Sequence, residues 1–170
     1  MKILGLDSSG LVASVALVED DALVAEYTTN YKKTHSQTLL PMLEELAGMT
    51  ELDMGTIDGI AVASGPGSFT GLRIGSATAK GLGLVLGKPL IEVPTLEGLA
   101  WNLWGSDRIV CPLMDARRNQ VYTAAYEFLR EGEGFGMRTV IPQSPKDIRV
   151  ILEELTEIGR PVVFLGDGVP

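Results

Sequence analysis

Ile109-Val110-Cys111-Pro112-Leu113-Met114-Asp115 is an apolar run that ends on an aspartate, and it repeats the pattern that opens the chain, Lys2-Ile3-Leu4-Gly5-Leu6-Asp7. Short apolar runs of this length, bounded by turn formers, are the pattern of buried strands. The downstream pattern repeats as well. Asp7 is followed by an apolar run over 12–18, the turn pair Asp20-Asp21 and a third run over 22–27; Asp115 is followed by runs over 120–128 and 137–141. Two copies of one three-stranded meander are expected.

Each meander leads into a helix. In Thr34-His35-Ser36-Gln37 the Thr hydroxyl and the Gln side chain can each satisfy the other residue's backbone N–H, which marks a helix start. Leu39, Leu43, Leu46 and Ala47 then share one face, and Gly48 supplies a stop. Pro41 leaves the Gln37 carbonyl without its helical donor, at a cost of about 3 kcal/mol inside a helix, so a kink or a later start is expected. In the second copy Ser144-Pro145-Lys146-Asp147 reads as a cap with proline at the first helical position. That helix carries Leu152-Glu153-Glu154-Leu155, which matches Leu43-Glu44-Glu45-Leu46 letter for letter.

A strand over 59–64 runs into Gly65-Pro66-Gly67-Ser68 and a helix over 70–86, and a strand over 161–165 runs into Gly166-Asp167-Gly168. The first copy goes on through a strand over 89–93 and a helix over 95–104, whereas the second stops at Pro170, so the second copy is expected to be incomplete. A unit of three strands, helix, strand and helix gives a mixed sheet with helices on its faces. The predicted class is α/β, an actin-like (ribonuclease H-like) duplicated mixed-sheet fold. Turn formers at Gly105-Ser106-Asp107 place the boundary there, giving a first subdomain over 1–105 and a second over 106–170.

Length and composition bound what such a fold can do. The 170 residues, 45% hydrophobic and 21% charged, suffice for one large or two small globular domains and contain no apolar run long enough to cross a bilayer. Met1 leads straight into a strand rather than into a leader segment, which makes the cytoplasm the expected location. The single Cys111 sits within a strand run and reads as a buried thiol. With a net charge of -8 the chain repels phosphate backbones wherever its basic residues are dispersed, so RNA is expected to be reached only through a partner.

Leu6-Asp7-Ser8-Ser9, His35-Ser36-Gln37-Thr38-Leu39-Leu40-Pro41-Met42-Leu43, Gly65-Pro66-Gly67-Ser68-Phe69-Thr70-Gly71-Leu72-Arg73-Ile74-Gly75, Val93-Pro94-Thr95-Leu96-Glu97-Gly98-Leu99 and Met114-Asp115-Ala116-Arg117-Arg118-Asn119-Gln120-Val121-Tyr122 carry a resemblance to the bacterial TsaB (YeaZ) family. That resemblance implies a subunit of the machinery that makes N6-threonylcarbamoyladenosine (t6A) at position 37 of certain transfer RNAs. It also implies two partners, the catalytic paralogue TsaD and the ATPase TsaE. The paralogue holds a metal with a His-x-x-x-His pair on the helix after strand five, a spacing that puts both imidazoles on one face. The matching positions here are Thr95 and Leu99, and the chain's one histidine is His35, on another helix. No catalytic residue and no metal ligand is assigned.

Asp7, Ser8, Ser9, Gly65, Gly67 and Ser68 lie at strand ends where open sheets of this kind place ligands. They are the candidates for a nucleotide site, read against the simpler account that they form tight turns between packed elements. Arg73, in the first turn of its helix, opposes the helix dipole and calls for an ion pair with Asp7 or a glutamate, or for an anion. Gly71, Gly75, Ala79 and Gly83 form a row without bulk that lets another helix come close. It is filled either by the first helix of the same chain or by a second molecule. The resemblance favours the second molecule, and the expected partner interface is His35, Leu39, Met42, Leu43, Leu46, Gly71, Arg73, Gly75, Ala79 and Gly83. Arg117-Arg118 reads as a solvated turn, His35 as a solvated first-turn residue, and Trp101 with Trp104 as core cover.

The reading is a non-catalytic subunit that binds and supports TsaD, pairs with a second copy when alone, and carries no cofactor of its own, with ATP or ADP at the partner interface. The rival is an actin-like ATPase or small-molecule kinase that binds nucleotide between the two halves.

Overall fold

The computed structural model describes residues 1–31 and 34–169 and divides them into two units. In the first, β1 (Lys2–Asp7), β2 (Ala13–Glu19) and β3 (Ala22–Thr29) form the meander, followed by α1 (His35–Met49), a 3-10 turn at Met54–Thr56, β4 (Gly59–Gly65), α2 (Phe69–Leu86) and β5 (Leu90–Pro94). The sheet runs β3-β2-β1-β4-β5, antiparallel across the meander and parallel from β1 to β5. Alternation along β2 turns Ala13, Val15 and Leu17 inward, and they pack with Leu4, Leu6, Ile60 and Val62 under Leu39, Met42, Leu43 and Leu46 of α1.

Helix α1 begins where the capping residues predict, the Thr34 N–H donating to the Gln37 side chain at 3.3 Å. It does not start late at Pro41; the helix is continuous, with Gln37 and Pro41 both exposed, a setting in which water can satisfy a carbonyl that has no helical donor. It also runs past Gly48 and ends at Thr50, whose hydroxyl donates to the Leu46 carbonyl at 2.8 Å.

The second unit contains β6 (Ile109–Asp115), β7 (Gln120–Glu131), β8 (Gly134–Asp147), α4 (Ile148–Ile158) and β9 (Val162–Leu165), in the sheet order β8-β7-β6-β9. This is the order of the first sheet with four strands in place of five. The division falls after Thr95 rather than after residue 105. The cause is α3 (Thr95–Trp101), whose Leu96 and Ala100 join the cluster of Val110, Met114, Ala124, Tyr126 and Phe128. Trp101 meets Phe128 edge-on at 5.3 Å and Trp104 meets Phe135 at 5.5 Å, so both cover this core.

Ser144-Pro145-Lys146-Asp147 is not a proline-led cap. It stays in β8, with Pro145 opposite Tyr122, and an edge strand tolerates a residue without an N–H. The cap is Asp147, whose carboxylate accepts the Arg149 N–H at 2.8 Å. The later start also changes the phase of the repeated tetrapeptide. Leu43 and Leu46 are both buried in α1, but in α4 the buried pair is Ile151 and Leu155, and Leu152 is 44% exposed.

Cys111 is buried beside the Thr123 hydroxyl, 3.4 Å away, and burial pushes its thiol up to about 11. Iodoacetamide at pH 8 is therefore expected to leave the folded chain unmodified and to alkylate it stoichiometrically once denatured, as read by intact mass.

Candidate functional site

The two loops that hold the nucleotide candidates meet each other. The Asp7 carboxylate accepts the Ser9 N–H at 2.8 Å, the buried Ser8 hydroxyl donates to the Gly71 carbonyl at 2.8 Å, and the Ser68 N–H donates to the Ser9 carbonyl at 2.6 Å. Ser68 also caps α2, its hydroxyl accepting the Gly71 N–H at 3.2 Å. A Cβ at Gly67 would lie 2.4 Å from the Ser9 carbonyl oxygen. Asp7, Ser8, Ser9, Gly67 and Ser68 are thus brought together with backbone against backbone, the arrangement of packed turns. His35 belongs to this knot rather than to solvent, its Nε2 donating to the Gly10 carbonyl at 2.9 Å.

The glycine row faces this knot and the sheet, and at Gly71 also His35 of α1, 3.3 Å from the Cβ position. A Cβ at Gly71 would stand 2.0 Å from the Ser8 carbonyl oxygen, one at Gly75 would stand 2.5 Å from the Ser8 hydroxyl, and one at Gly83 would stand 2.9 Å from Leu90. Gly71, Gly75, Ala79 and Gly83 are buried within their own unit, the first two mainly against Ser8 of the β1–β2 loop, and Leu39, Met42, Leu43 and Leu46 fill the first core. The expected interface set is corrected accordingly. A helix lying on a sheet has one stripe that its own sheet consumes, and eight of the ten residues in that set lie on such stripes. Arg73 remains outside, but among the described residues no carboxylate lies within 4.0 Å of it; its guanidinium stacks on Phe69 at 3.9 Å instead.

Sequence reasoning missed the outward stripe. Leu84 is 86% exposed, Val85 83% and Phe69 68%, with Leu40 of α1 exposed as well. The signal was available: once the residues without bulk are taken as the packed side of α2, its large apolar residues at the opposite phase must point away.

A second knot closes the corresponding end of the second unit. The Asp115 carboxylate accepts the Arg117 N–H at 2.7 Å, and the Asp167 carboxylate accepts the Asp115 N–H at 3.1 Å. Gly166 is required here, at φ 108° with a Cβ position 2.3 Å from the Leu113 carbonyl oxygen. Between β6 and β7, Arg117, Arg118 and Asn119 adopt φ values of 66°, 55° and 62°. Left-handed backbone costs an ordinary side chain about 1–2 kcal/mol per residue. The turn borders a cavity of about 570 Å³ lined also by Asp115, Ile148 and Asp167. Among the described residues no group of three or more His, Cys, Asp or Glu could hold a metal ion, and no helix is long and apolar enough to cross a membrane.

Two units with the same strand order, each with a helix between the meander and the next parallel strand, define the actin-like duplicated class. Comparison narrows the class. A family model described as TsaD, tRNA N6-adenosine threonylcarbamoyltransferase, matches residues 22–135. The tRNA threonylcarbamoyladenosine biosynthesis protein TsaB of Bacillus subtilis (strain 168) is 39% identical over 166 residues, covering 98% of this chain and 71% of that protein. TsaB of Escherichia coli (strain K12) is 32% identical, with 99% of this chain and 72% of that protein covered. The solved structure of YeaZ from Pseudomonas aeruginosa superposes with a TM-score of 0.72 at 32% identity, covering 86% of this chain and 66% of that one. The chain belongs to the TsaB family of tRNA threonylcarbamoyladenosine biosynthesis proteins.

Proposed function

We propose that the chain performs no chemistry of its own and serves t6A formation by binding and supporting TsaD. One observation carries this reading: the positions that match the paralogue's histidine pair are Thr95 and Leu99, and neither can replace an imidazole as a metal ligand. The chain's one histidine, His35, is committed to the Gly10 carbonyl. Thr95 is buried, with a hydroxyl that has no hydrogen-bond partner among the described residues. In the same reading TsaE is a further partner, a second copy of the chain occupies the docking face when TsaD is absent, and the complex works in the cytoplasm. No cofactor is intrinsic, and ATP or ADP is placed at the partner interface. Contact of the Ser9 and Gly67 backbones disfavours the rival nucleotide-binding reading on the first-unit side.

The docking face is the outward side of α1 and α2, where Leu40, Phe69 and Leu84 leave apolar surface in water. Phe69→Asp with Leu84→Asp is expected to abolish co-purification with TsaD and self-association in sedimentation. Its melting temperature should stay close to that of the parent, since exposed positions shift stability by about 0.5 kcal/mol or less. Retained binding by this variant would overturn the assignment of the face.

A further inference from the structure

We propose that the end of the second unit where the β6–β7 turn meets the first turn of α4 is a contact site for the phosphodiester backbone of RNA, with Arg117, Arg118 and Arg149 as its cations. The inference rests on the family assignment, which puts an RNA in the pathway, and goes beyond it by giving this chain a direct contact with that RNA. The Ile148 N–H donates to the Asn119 carbonyl at 3.4 Å, so the first turn of α4, which carries Arg149, stands against the turn that carries Arg117 and Arg118. All three arginines are exposed, and among the described residues none has a carboxylate oxygen within 4.0 Å. Guanidinium groups left unpaired on a surface suit phosphate, which they can grip with two parallel N–H donors.

Three exposed aspartates share this end, and none lies within 4.0 Å of a guanidinium nitrogen. Asp115, Asp147 and Asp167 each give one carboxylate oxygen to a backbone N–H, at 2.7, 2.8 and 3.1 Å, instead of pairing with an arginine. The backbone adds an independent argument. Glycine or asparagine would relieve the left-handed conformation at 117 and 118, so arginine is held there against the preference of the fold, as happens where a strained segment serves a ligand. Three arginines beside three aspartates leave this end close to neutral, so RNA is repelled less here than over the rest of a chain of net charge -8.

Titration of a fluorescein-labelled tRNA transcript with the chain tests this. Binding is expected at about 50 mM salt and should weaken steeply by about 200 mM. The Arg117→Asn, Arg118→Asn double variant should bind about tenfold more weakly, with a slope of log K against log salt shallower by roughly 1.5, because about two phosphate contacts are lost. Asparagine accepts the left-handed backbone, so the variant should melt at the parent temperature or above it, and its loss of binding cannot be ascribed to unfolding. Arg149→Gln should weaken binding in the same sense, while Arg108→Gln should not. Absence of salt-dependent binding by the parent chain, or parental binding by the double variant, overturns the inference. If either occurs while the parent chain still supports t6A formation in a reconstituted reaction, the inference fails alone; if the parent gives no such support, the family reading fails with it.

Discussion

Gly71→Ala is expected to destabilise the first unit by about 3 kcal/mol, although alanine is the better helix former by about 1 kcal/mol. The added methyl would sit 2.0 Å from the Ser8 carbonyl oxygen, which is backbone and cannot rotate away. Ser8 is itself buried and tied to the Gly71 carbonyl at 2.8 Å, so relief requires α2 to lift from the β1–β2 loop. That movement would also stretch the Ser68 to Ser9 hydrogen bond that closes the knot. Overpacking costs typically about 1–3 kcal/mol and more against rigid atoms, which exceeds the gain in propensity. Gly81→Ala on the same helix supplies the contrast. Nothing lies within 4 Å of its Cβ position, so it should stabilise by up to about 1 kcal/mol. Thermal melts of the two variants should move in opposite directions, and a Gly71→Ala protein as stable as its parent would show that the row is not pressed onto Ser8.

Removing both arginines from Glu127 is expected to cost the second unit about 3 kcal/mol, the lower end for a broken buried pair because the guanidinium ends stay hydrated. Glu127 is only 4% exposed and accepts from Arg138 Nε at 2.6 Å and Arg160 Nη1 at 2.7 Å, which ties β7 to β8 and to the segment after α4. Arg138→Leu or Arg160→Leu alone leaves the carboxylate one partner and should cost about 1 kcal/mol. The double variant strands the charge and should lose more than the sum. The pH dependence has a definite sign. Hydrogen bonds from Arg160 and then Arg138 hold the Glu127 carboxyl below its ordinary value of 4.5. A carboxyl lowered by folding contributes stability that is present above the unfolded value and lost as pH falls through the folded one. The parent should therefore weaken below about pH 4.5. In the double variant burial acts unopposed and raises the carboxyl, so its deficit should shrink on acidification. Denaturant midpoints at pH 7 and pH 4 check both claims, and equal deficits at the two pH values would sink the clamp.

The same distinction between a residue's chemistry and its direction governs what could be read before folding. The repeat of Lys2 to Asp7 in Ile109 to Asp115 predicts two meanders, and the strand orders β3-β2-β1-β4-β5 and β8-β7-β6-β9 contain them. Local pattern suffices there, because an apolar run between turn formers has few ways to hide its side chains. That positions 95 and 99 are Thr and Leu, and that the chain's one histidine is His35, is equally a matter of residue type and needs no coordinates. The cap at Ser144-Pro145 fails for the opposite reason. Proline suits a first helical turn and an edge strand alike, and pairing with β7 decided between them.

By itself, then, the sequence determined the duplicated class and the family, and it left His35 as the chain's one imidazole. Only the tertiary structure decided which way the helices face, which turned Leu39, Leu43 and the Gly71 row from an expected interface into core and left Phe69, Arg73 and Leu84 outside. It alone also set Arg117 and Arg118 on a left-handed turn beside the first turn of α4. Periodicity shows that a helix has a packed stripe, but what fills the stripe depends on residues distant in the chain: Ser8 lies 63 positions from Gly71, and no local rule brings its carbonyl there.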